Sequence, residues 1–273
     1  MPDPRYVFLV GAARSGTKFL RDTLASSSDI AAVPYDINYV WRHGNEDCPH
    51  DELAPEDVDN KTAAHIRKSV RRLAMKAHQG DPKIVLEKSV SNTLRMDLIR
   101  RVFPEAEFIY LERNGLDVVE SSYRQWTAPA DHSYLFEKLR YFPLNEWRYA
   151  LWFAKNTLSG TSSAPVWGPR YKGISDDLER LGTAQTCALQ WMHSVEHARL
   201  SIEPKDTHVV RYEQLDDPAN GILWLTSSLG LSDCQAVSEA LNSRYHRTTT
   251  WPGALPPQDL AEIRKLVGAT GSV

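Results

Sequence analysis

The chain has 273 residues, which is enough for one large domain with a full hydrophobic core, whereas two small domains would leave little for each. Lys and Arg number 32 against 35 Asp and Glu, so the net charge of −3 gives no overall positive field that would favour nucleic acid. The three cysteines are widely spaced and outside any CxxC pair, so they indicate neither a disulfide framework nor a zinc site and favour a reducing compartment.

The hydrophobic pattern contains no membrane or export signal. The first residues run directly into an apolar strand pattern, without the basic and apolar regions of a signal peptide, and no run of about 18 apolar residues occurs. We therefore expect a single domain over residues 1–273 in the cytoplasm, with no integral membrane segment and no nucleic-acid partner. The oligomeric state is left open.

Strands alternate with helices in the predicted order of elements. Short apolar runs, typical of core strands, occupy 6–10 (YVFLV), 83–87 (KIVLE), 107–112 (EFIYLE) and 207–211 (THVVR). Apolar residues at helical spacing occupy 19–24, 94–103, 118–126, 184–198 and 222–229. This alternation predicts an α/β protein with a P-loop-like three-layer fold, in which helices flank a central parallel sheet. Helical or loop insertions are expected at about 37–80 and 127–205.

A segment that resembles a phosphate loop, GAARSGTK at 11–18, follows the first predicted strand. A strand that ends in glycine and turns directly into an amphipathic helix directs several backbone N–H groups to one helix N-terminus, which is an anion site. Arg14 and Lys18 add positive charge, and Ser15 and Thr17 add hydroxyl donors. We therefore expect a phosphate or sulfate group here; the alternative is a tight glycine turn without a ligand.

The same segment departs from the loop of nucleoside triphosphatases. That loop needs Lys followed by Ser or Thr, whose hydroxyl binds magnesium, and an Asp at the end of another strand completes the metal site. Here Lys18 is followed by Phe19, and the other predicted strands end in Glu87, Glu112 and Arg211. We therefore expect no metal in the site. A kinase or NTPase with an atypical metal site and a non-catalytic anion-binding module are the alternative functions.

Three further segments stand out by composition. Residues 46–59 carry seven acids and no base, and residues 61–76 carry six Lys or Arg and no acid. The second segment predicts a helix with a basic face, which is either neutralised by the acidic segment beside it or open to an anionic ligand. The stretch 160–173 is rich in Gly, Pro and Ser, which indicates either a binding loop or an ordinary surface loop.

Two longer runs resemble the PAPS-dependent sulfotransferase family, where PAPS is 3′-phosphoadenosine-5′-phosphosulfate: GAARSGTKFLRDTL and LEKSVSNTLRMDLIRRVFPEAEFIYLERNGLDVVESSY. The similarity is to the branch that includes carbohydrate and tyrosylprotein enzymes with an R-S-G-T loop. It covers about residues 6–126 and resumes at 187–191 and 209–215. The resemblance implies an enzyme that moves a sulfuryl group from PAPS to a hydroxyl or amine and releases adenosine 3′,5′-bisphosphate (PAP).

The resemblance also assigns the residues that bind PAPS. Its first motif implies that the 5′-phosphosulfate is bound by Arg14, Ser15, Gly16, Thr17 and Lys18. Its second motif, R-[ND]-x-x-x-x-x-x-S-x-Y, implies that Arg113 and Ser121 hold the 3′-phosphate. Arg113 follows a predicted strand and Ser121 lies about two turns into the next helix, so both are expected at the carboxyl edge of the sheet. The sequence departs from the family at Gly115, where proline is frequent, and at Lys18, where threonine or serine is commoner.

The implied reaction needs charge stabilisation on the leaving oxygen and a base for the proton of the acceptor. The resemblance implies Arg14 and Lys88 for the first task. For the base it favours Asp36, with Glu87 second and His43 third. Similar enzymes use a carboxylate shortly after the loop helix or, in other branches, a histidine.

The acceptor is expected to be a small molecule or a carbohydrate. Aromatic residues outside the regular elements are candidates for stacking on a sugar ring, namely Tyr35, Tyr39, Trp41, Trp147, Tyr149, Trp152, Trp167 and Tyr171. Most aromatics in a chain of this size belong to the core. Tyr35, Tyr39 and Trp41 are the ones expected close to Asp36.

Overall fold

The structure of the protein is a computed structural model that describes residues 3–128, 166–245 and 253–271. Three of the aromatic candidates, Trp147, Tyr149 and Trp152, lie outside the described residues, as does part of the stretch 160–173. Within the described ranges, no helix combines the length and the apolar character needed to cross a membrane.

The described part of the chain contains one sheet of five parallel strands. They are β1 (Arg5–Val10), β2 (Ile30–Ala32), β3 (Ile84–Glu87), β4 (Glu107–Glu112) and β5 (Thr207–Arg211). Their spatial order is β2-β3-β1-β4-β5, and each neighbouring pair is parallel. The four predicted strands are confirmed. The fifth, β2, has three residues and is too short to show a sequence pattern.

Helices connect and cover the strands. In chain order they are α1 (Thr17–Leu24), α2 (Asn38–Trp41), α3 (Asn60–Ala77), α4 (Met96–Val102), α5 (Gly115–Thr127), α6 (Ile174–Leu200), α7 (Ile222–Ser228), α8 (Cys234–Arg244) and α9 (Leu260–Gly271). Short 3₁₀ turns occupy Pro55–Asp57, Val90–Leu94 and Tyr212–Gln214. A break divides α6 at Gly182, where φ is 76°.

Both faces of the central strands β1, β3 and β4 are covered, which explains why these strands are mainly apolar. Successive side chains of β1 point to opposite faces. Phe8 packs on the side of α2, α3 and α4, with its ring centroid 5.9 Å from that of Trp41 and 5.0 Å from that of Phe103. Leu9 packs on the side of α1, α7 and α8. The predicted three-layer α/β fold is therefore confirmed.

The basic helix predicted at 61–76 is present as α3, and two of its arginines pair with acids from other parts of the chain. Arg67 pairs with Glu105 at 2.5 Å, and Arg71 pairs with Asp3 at 2.9 Å. Both acids lie outside the segment 46–59. These pairs are exposed, so each adds little to stability, and the acidic segment has other contacts that are described below.

Candidate active site

Polar residues that follow four neighbouring strands meet at the carboxyl edge of the sheet. The chain leaves β1 towards β2 on one side and later crosses from β3 to β4 on the other side, so the direction of the connections changes at β1. Open α/β sheets bind ligands outside the carboxyl ends of their strands at such a point. The residues that follow β2, β3, β1 and β4, in spatial order, are Asp36, Lys88, the loop 11–16 and Arg113.

The loop 11–16 is shaped for close approach of the backbone to neighbouring atoms. A Cβ atom at Gly11 would lie 2.7 Å from the carbonyl oxygen of Leu111, and one at Gly16 would lie 2.6 Å from the ring of Tyr212. Gly16 has a φ of 98°, in the left-handed region, and is the N-cap of α1. Glycine has no side chain to cap the helix, and the first turn of α1 contains no acid. The positive end of α1 therefore faces the loop and favours an anion there.

The other predicted loop residues differ in exposure. Ser15 and Thr17 are buried, and Ser15 Oγ donates to the carbonyl oxygen of Ala12 at 2.7 Å, which fixes the turn. Lys18 is exposed on the first turn of α1. Arg14 has a φ of 71°, which is uncommon for a residue with a side chain. Backbone strain of this kind clusters at ligand-binding loops.

Arg14 connects the loop with the second motif. Its Nε donates to Ser121 Oγ at 3.0 Å, and its carbonyl oxygen accepts a hydrogen bond from Arg113 Nη1 at 3.3 Å. The guanidinium of Arg113 lies 4.3 Å from the ring centroid of Tyr212. Although Arg14 as a residue is exposed, partial burial of its guanidinium lowers its pKa, and the charges of Arg124 and Arg113 lower it further. These guanidinium groups repel one another, so a bound anion with two or more charges would stabilise the cluster.

Asp36 and Lys88 form an ion pair on the other side of the loop. Lys88 Nζ donates to Asp36 Oδ1 at 2.8 Å. The Lys88 side chain is 7% exposed, whereas that of Asp36 is 21% exposed. Because Asp36 retains contact with solvent, an acceptor can approach its carboxylate while Lys88 holds it in place.

Glu87, the second candidate for the base, is completely buried. Its carboxylate accepts from Ser89 Oγ and from Asn92 Nδ2, both at 2.6 Å, and Ser89 Oγ accepts the backbone N–H of Ile37 at 3.0 Å. Burial raises the pKa of Glu87 to about 7, with a smaller contribution from the charge of Asp36. Through Ser89, Glu87 therefore fixes the backbone at Ile37, the residue after Asp36. The Glu87 side chain itself has no contact with solvent.

His43, the third candidate for the base, is engaged at α3. Its ring stacks on that of His65, with centroids 3.8 Å apart, and its Nδ1 lies 3.9 Å from Glu46 Oε1. These contacts direct the His43 ring to α3, and the geometry favours Asp36 as the carboxylate beside Lys88.

The aromatic residues expected close to Asp36 belong to the core. Tyr35, Tyr39 and Trp41 are at most 8% exposed and lie in the cluster that covers one face of the sheet. The suggestion that an acceptor stacks on these rings is therefore wrong, because their faces are already packed. Tyr171 is also buried.

Trp167 is the aromatic candidate that lies against the phosphate loop. Its ring centroid is 5.8 Å from Cζ of Arg14, and a Cβ atom at the neighbouring Gly168 would lie 3.5 Å from that of Ala13. Gln190 of α6 holds this part of the chain, because its Nε2 donates to the carbonyl oxygens of Trp167 and Pro169 at 2.8 Å each. The residues 166–170 thus form a wall beside the loop.

A buried carboxylate, Asp51, fixes the residues 166–170 to the rest of the site, and no sequence pattern marks it as a site residue. Its Oδ1 accepts from Asn38 and Arg42 at 3.0 Å each, and its Oδ2 accepts from Ser91 Oγ and from the backbone N–H of Arg170 at 2.9 Å each. Burial acts to raise the pKa of Asp51, but the nearby guanidinium charges and these donors lower it overall. Nothing in the sequence distinguishes Asp51 from the other acids of 46–59, because Arg170 is 119 residues away.

A cavity of about 380 Å³ adjoins Arg113 between β4, β5 and α6. Its lining includes Ser15, Glu112, Trp191 and Arg199. Arg199 neutralises Glu112 at 3.2 Å. The cavity beside Arg113 is therefore lined in part by the indole of Trp191 and carries little net charge.

Comparisons with known proteins agree on one family. A family model described as "Sulfotransferase family" matches residues 4–159. An uncharacterised protein of Aquifex aeolicus (strain VF5) is 31% identical over 134 residues, which are 45% of this chain and 17% of that protein, so the chain spans about a sixth of the length of this curated relative.

Solved structures extend the likeness to the fold. A sulfotransferase from Alicyclobacillus acidocaldarius is 17% identical with a TM-score of 0.52, and the match covers 100% of this chain and 94% of that one. A sulfotransferase from Mycobacterium avium is 10% identical with a TM-score of 0.53, and the match covers 98% of this chain and 76% of that one. At these identities the likeness is one of fold.

Proposed function

Because the chain belongs to the sulfotransferase family, we propose that it transfers a sulfuryl group from PAPS to a hydroxyl or amine of a small-molecule or carbohydrate acceptor. One observation carries the proposal: the candidate base, the candidate lysine, the anion-binding loop and the second-motif arginine follow four neighbouring strands in that spatial order. An acceptor on the Asp36 side and a nucleotide on the Arg113 side would then face each other across the loop.

In this arrangement, residues of the site bind both charged ends of the donor. The backbone N–H groups at the start of α1, with Arg14 beside them, bind the 5′-phosphosulfate. Arg113 and Ser121 bind the 3′-phosphate. Arg14 donates a hydrogen bond to Ser121 at 3.0 Å, so the two proposed phosphate-binding groups are adjacent. A single nucleotide that carries both phosphate groups requires this proximity.

The chemical step moves one sulfuryl group and one proton. The bond between sulfur and the bridging oxygen of PAPS breaks, the acceptor oxygen or nitrogen forms the new bond to sulfur, and PAP leaves. The proton of the acceptor passes to the Asp36 carboxylate and then to solvent. Arg14 and Lys88 stabilise the negative charge that develops on the departing phosphate oxygen.

Contacts at the strand ends disfavour the nucleoside triphosphatase alternative. Glu87 is buried and accepts two hydrogen bonds, and Glu112 is paired with Arg199 at 3.2 Å and Arg211 at 3.4 Å. Neither carboxylate is therefore placed to hold a magnesium ion beside the loop. A donor that needs no metal, such as PAPS, suits the site better.

We also propose that the chain forms a single domain in a reducing, cytoplasmic environment. Cys48, Cys187 and Cys234 are all unpaired thiols, which suits such a compartment.

Binding of PAP and of ATP with magnesium, measured in parallel by thermal denaturation, tests the proposal. PAP should stabilise the fold by about 2.7 kcal/mol at a hundred times its Kd, and ATP with magnesium should do so much less. Arg113→Ala and Ser121→Ala should weaken PAP binding, whereas Arg101→Ala, which removes an exposed arginine that contacts Asn60, should not.

Three outcomes would contradict the assignment. A preference for ATP would favour a kinase, and no stabilisation by either nucleotide would favour a non-catalytic module. Unchanged PAP affinity in both the Arg113 and the Ser121 variants would show that the second motif does not hold the 3′-phosphate.

A further inference from the structure

Two histidines and a glutamate lie together on α6 and the acidic segment, apart from the residues proposed for sulfuryl transfer. His193 and His197 are four residues apart on α6, so they share one face of the helix. Glu52 comes from the segment 46–59 and faces them. One potential ligand atom from each of the three residues lies within 4.8 Å of the other two.

Neighbouring groups already orient these side chains. The backbone N–H of Lys172 donates to Glu52 Oε1 at 2.9 Å, and the same oxygen lies 4.0 Å from His197 Nε2. The ring of Tyr171 stacks on that of His193, with centroids 4.2 Å apart and planes 13° from parallel. Metal-binding side chains are normally fixed by such surrounding contacts, which reduces the entropy lost when the ion binds.

The charges around the histidines suit a divalent cation. The carboxylate of Glu52 supplies negative charge beside the two imidazoles, with Oε1 4.0 Å from His197 Nε2. Imidazole binds a metal ion in its neutral form, so a bound divalent cation would meet one negative ligand and two neutral ones.

We propose that Glu52, His193 and His197 bind a zinc ion, with water as the fourth ligand. Two imidazoles and one carboxylate form a donor set that zinc accepts in tetrahedral geometry, whereas magnesium and calcium prefer oxygen ligands. Tetrahedral coordination requires the ligand atoms to be about 3.3 Å apart. Small side-chain rotations would bring the three atoms from their present separations to that distance.

The ion would connect α6 with the acidic segment 46–59, next to the residues 166–170 that lie beside the phosphate loop. Glu52 adjoins Asp51, whose carboxylate accepts the backbone N–H of Arg170, and the segment from Trp167 to Lys172 runs between these acids and α6. Zinc would thus reinforce the wall that places Trp167 beside Arg14. It would act on the stability of this region, since none of its three ligands is proposed to contact PAPS or the acceptor.

Zinc titration of the full chain, prepared without a histidine tag and freed of metal, tests the site. Affinity is measured by competition with a chromophoric chelator, and geometry by the visible absorption of bound Co²⁺. We expect one equivalent to bind tightly, and His197→Ala, Glu52→Gln and His193→Phe to weaken binding on the order of a hundredfold. His193→Phe removes the ligand but keeps an aromatic ring against Tyr171, so it separates metal binding from packing.

The matched control is His208→Ala. His208 Nε2 lies 3.8 Å from Glu107 Oε2, which is a histidine–carboxylate pair without a second histidine, so this variant should bind zinc like the parent. Zinc at a hundredfold excess over its Kd should raise the Tm of the parent and of the control by about 5 °C, and chelator should reverse the rise.

Equal zinc affinity in the parent and in all three ligand variants would overturn the proposal, as would an equal rise in Tm with magnesium. Far-UV circular dichroism confirms that each variant is folded. The readouts require neither PAPS nor turnover, so they stand whatever becomes of the proposed transfer. Initial rates at low temperature should survive the chelator, because the site lies outside the transfer residues.

Discussion

The ion pair between Lys88 and Asp36 gives the proposed reaction a way to couple two events. Lys88 Nζ lies 2.8 Å from a carboxylate that is proposed to take a proton. When Asp36 is protonated it loses the charge that holds Lys88, at the moment when the departing oxygen of the donor gains charge. The ammonium group then interacts more strongly with that oxygen, so proton transfer and charge stabilisation assist each other.

Replacing the proposed base should affect turnover far more than donor binding. Asp36→Asn keeps the size of the side chain and an oxygen for Lys88 but removes its basicity, so turnover should fall by about 10²- to 10⁴-fold. PAP affinity should remain nearly unchanged, because the residues proposed to hold the nucleotide are Arg113 and the loop 11–16. Steady-state rates and PAP titrations on the same preparations measure both quantities. Near-normal turnover in this variant, with loss of turnover in Glu87→Gln or His43→Ala, would assign the base elsewhere.

Glu87 should make folding stability depend on pH. Its pKa is raised from 4.5 to about 7 on folding, so the folded state binds a proton more tightly than the unfolded chain does. This contribution is complete below pH 4.5 and is lost as the pH rises to about 7. A shift of this size corresponds to about 3 kcal/mol. Glu87→Gln cannot titrate, so urea denaturation from pH 5 to 7.5 should show the parent losing stability relative to the variant.

A second variant checks the sign of that effect. The pKa of Glu105 is lowered in spite of partial burial, because Arg67 donates hydrogen bonds to it. The stabilisation from Glu105 is therefore present above pH 4.5 and lost as the pH falls through its lowered pKa, which is the opposite direction to Glu87. Comparison of Glu105→Gln with the parent should show this small dependence below pH 5, and little of it from pH 5 to 7.5. Parallel pH profiles for the parent and Glu87→Gln would show that the Glu87 pKa is not raised.

The distance along the chain decided which site residues were predictable. Arg113 and Ser121 belong to one βα unit, so their common position at the sheet edge follows from local structure alone. Asp51 and Glu52 depend on partners more than 100 residues away. In the sequence they are two of seven acids in a segment whose expected role was to neutralise the basic helix beside it. For the proposed zinc site, the available signal was a pair of histidines four residues apart. Such a pair indicates a metal site only together with a third ligand.

At the scale of elements, Gly115 lets three helices meet. It is the first residue of α5, where a Cβ atom would lie 2.6 Å from the ring of Trp191 on α6 and 2.7 Å from Val267 Cγ1 on α9. The family often has proline at this position. Here α6 and α9 pack directly on the start of the helix, so any side chain at this position would have to displace Trp191 and Val267.

Substitution of Gly115 by alanine should destabilise the protein by about 1–3 kcal/mol, because the added methyl group overpacks the junction. The matched control is Gly268→Ala, next to Val267 on α9, where an added Cβ atom meets no heavy atom within 4 Å. That change should be neutral or stabilising by up to about 1 kcal/mol, since alanine is the better helix former. Urea denaturation of both variants measures the difference. Equal stabilities would show that α6 and α9 do not pack on Gly115 as described.

Element type was easier to predict than element length. Strands β1, β3 and β4 were evident because both of their faces are covered and the runs are mainly apolar. The edge strand β5 buries only Val210 of its five residues, so its signal was the β-branched pair Val209 and Val210. The three residues of β2 carry no such signal, and their strand conformation depends on pairing with β3. The same reasoning applies to the residues 166–170, whose position depends on Gln190 and Asp51 and on no local pattern.

At the scale of the whole molecule, the parallel sheet was predictable but its strand order was not. Alternation of strands and helices requires crossover connections and therefore parallel pairing. The order β2-β3-β1-β4-β5 is set by which helices pack on which face, and a single sequence does not reveal this. The relation between the acceptor side and the donor side of the proposed site follows from that order alone.

The central position of β1 has a consequence for the folding of the protein. Val7 of β1 pairs with Leu86 of β3 on one side and with Glu107 of β4 on the other. Glu107 follows Val7 by about 100 residues in the chain. At a synthesis rate of about 5–20 residues per second, about 5–20 s pass between the synthesis of β1 and that of β4. Among the described residues every pair in the sheet is parallel and non-local, so β1 has no hairpin partner there, and such topologies fold slowly. During synthesis this apolar strand is therefore exposed before both of its neighbours are available, so the yield of folded protein in the cell should depend on chaperones.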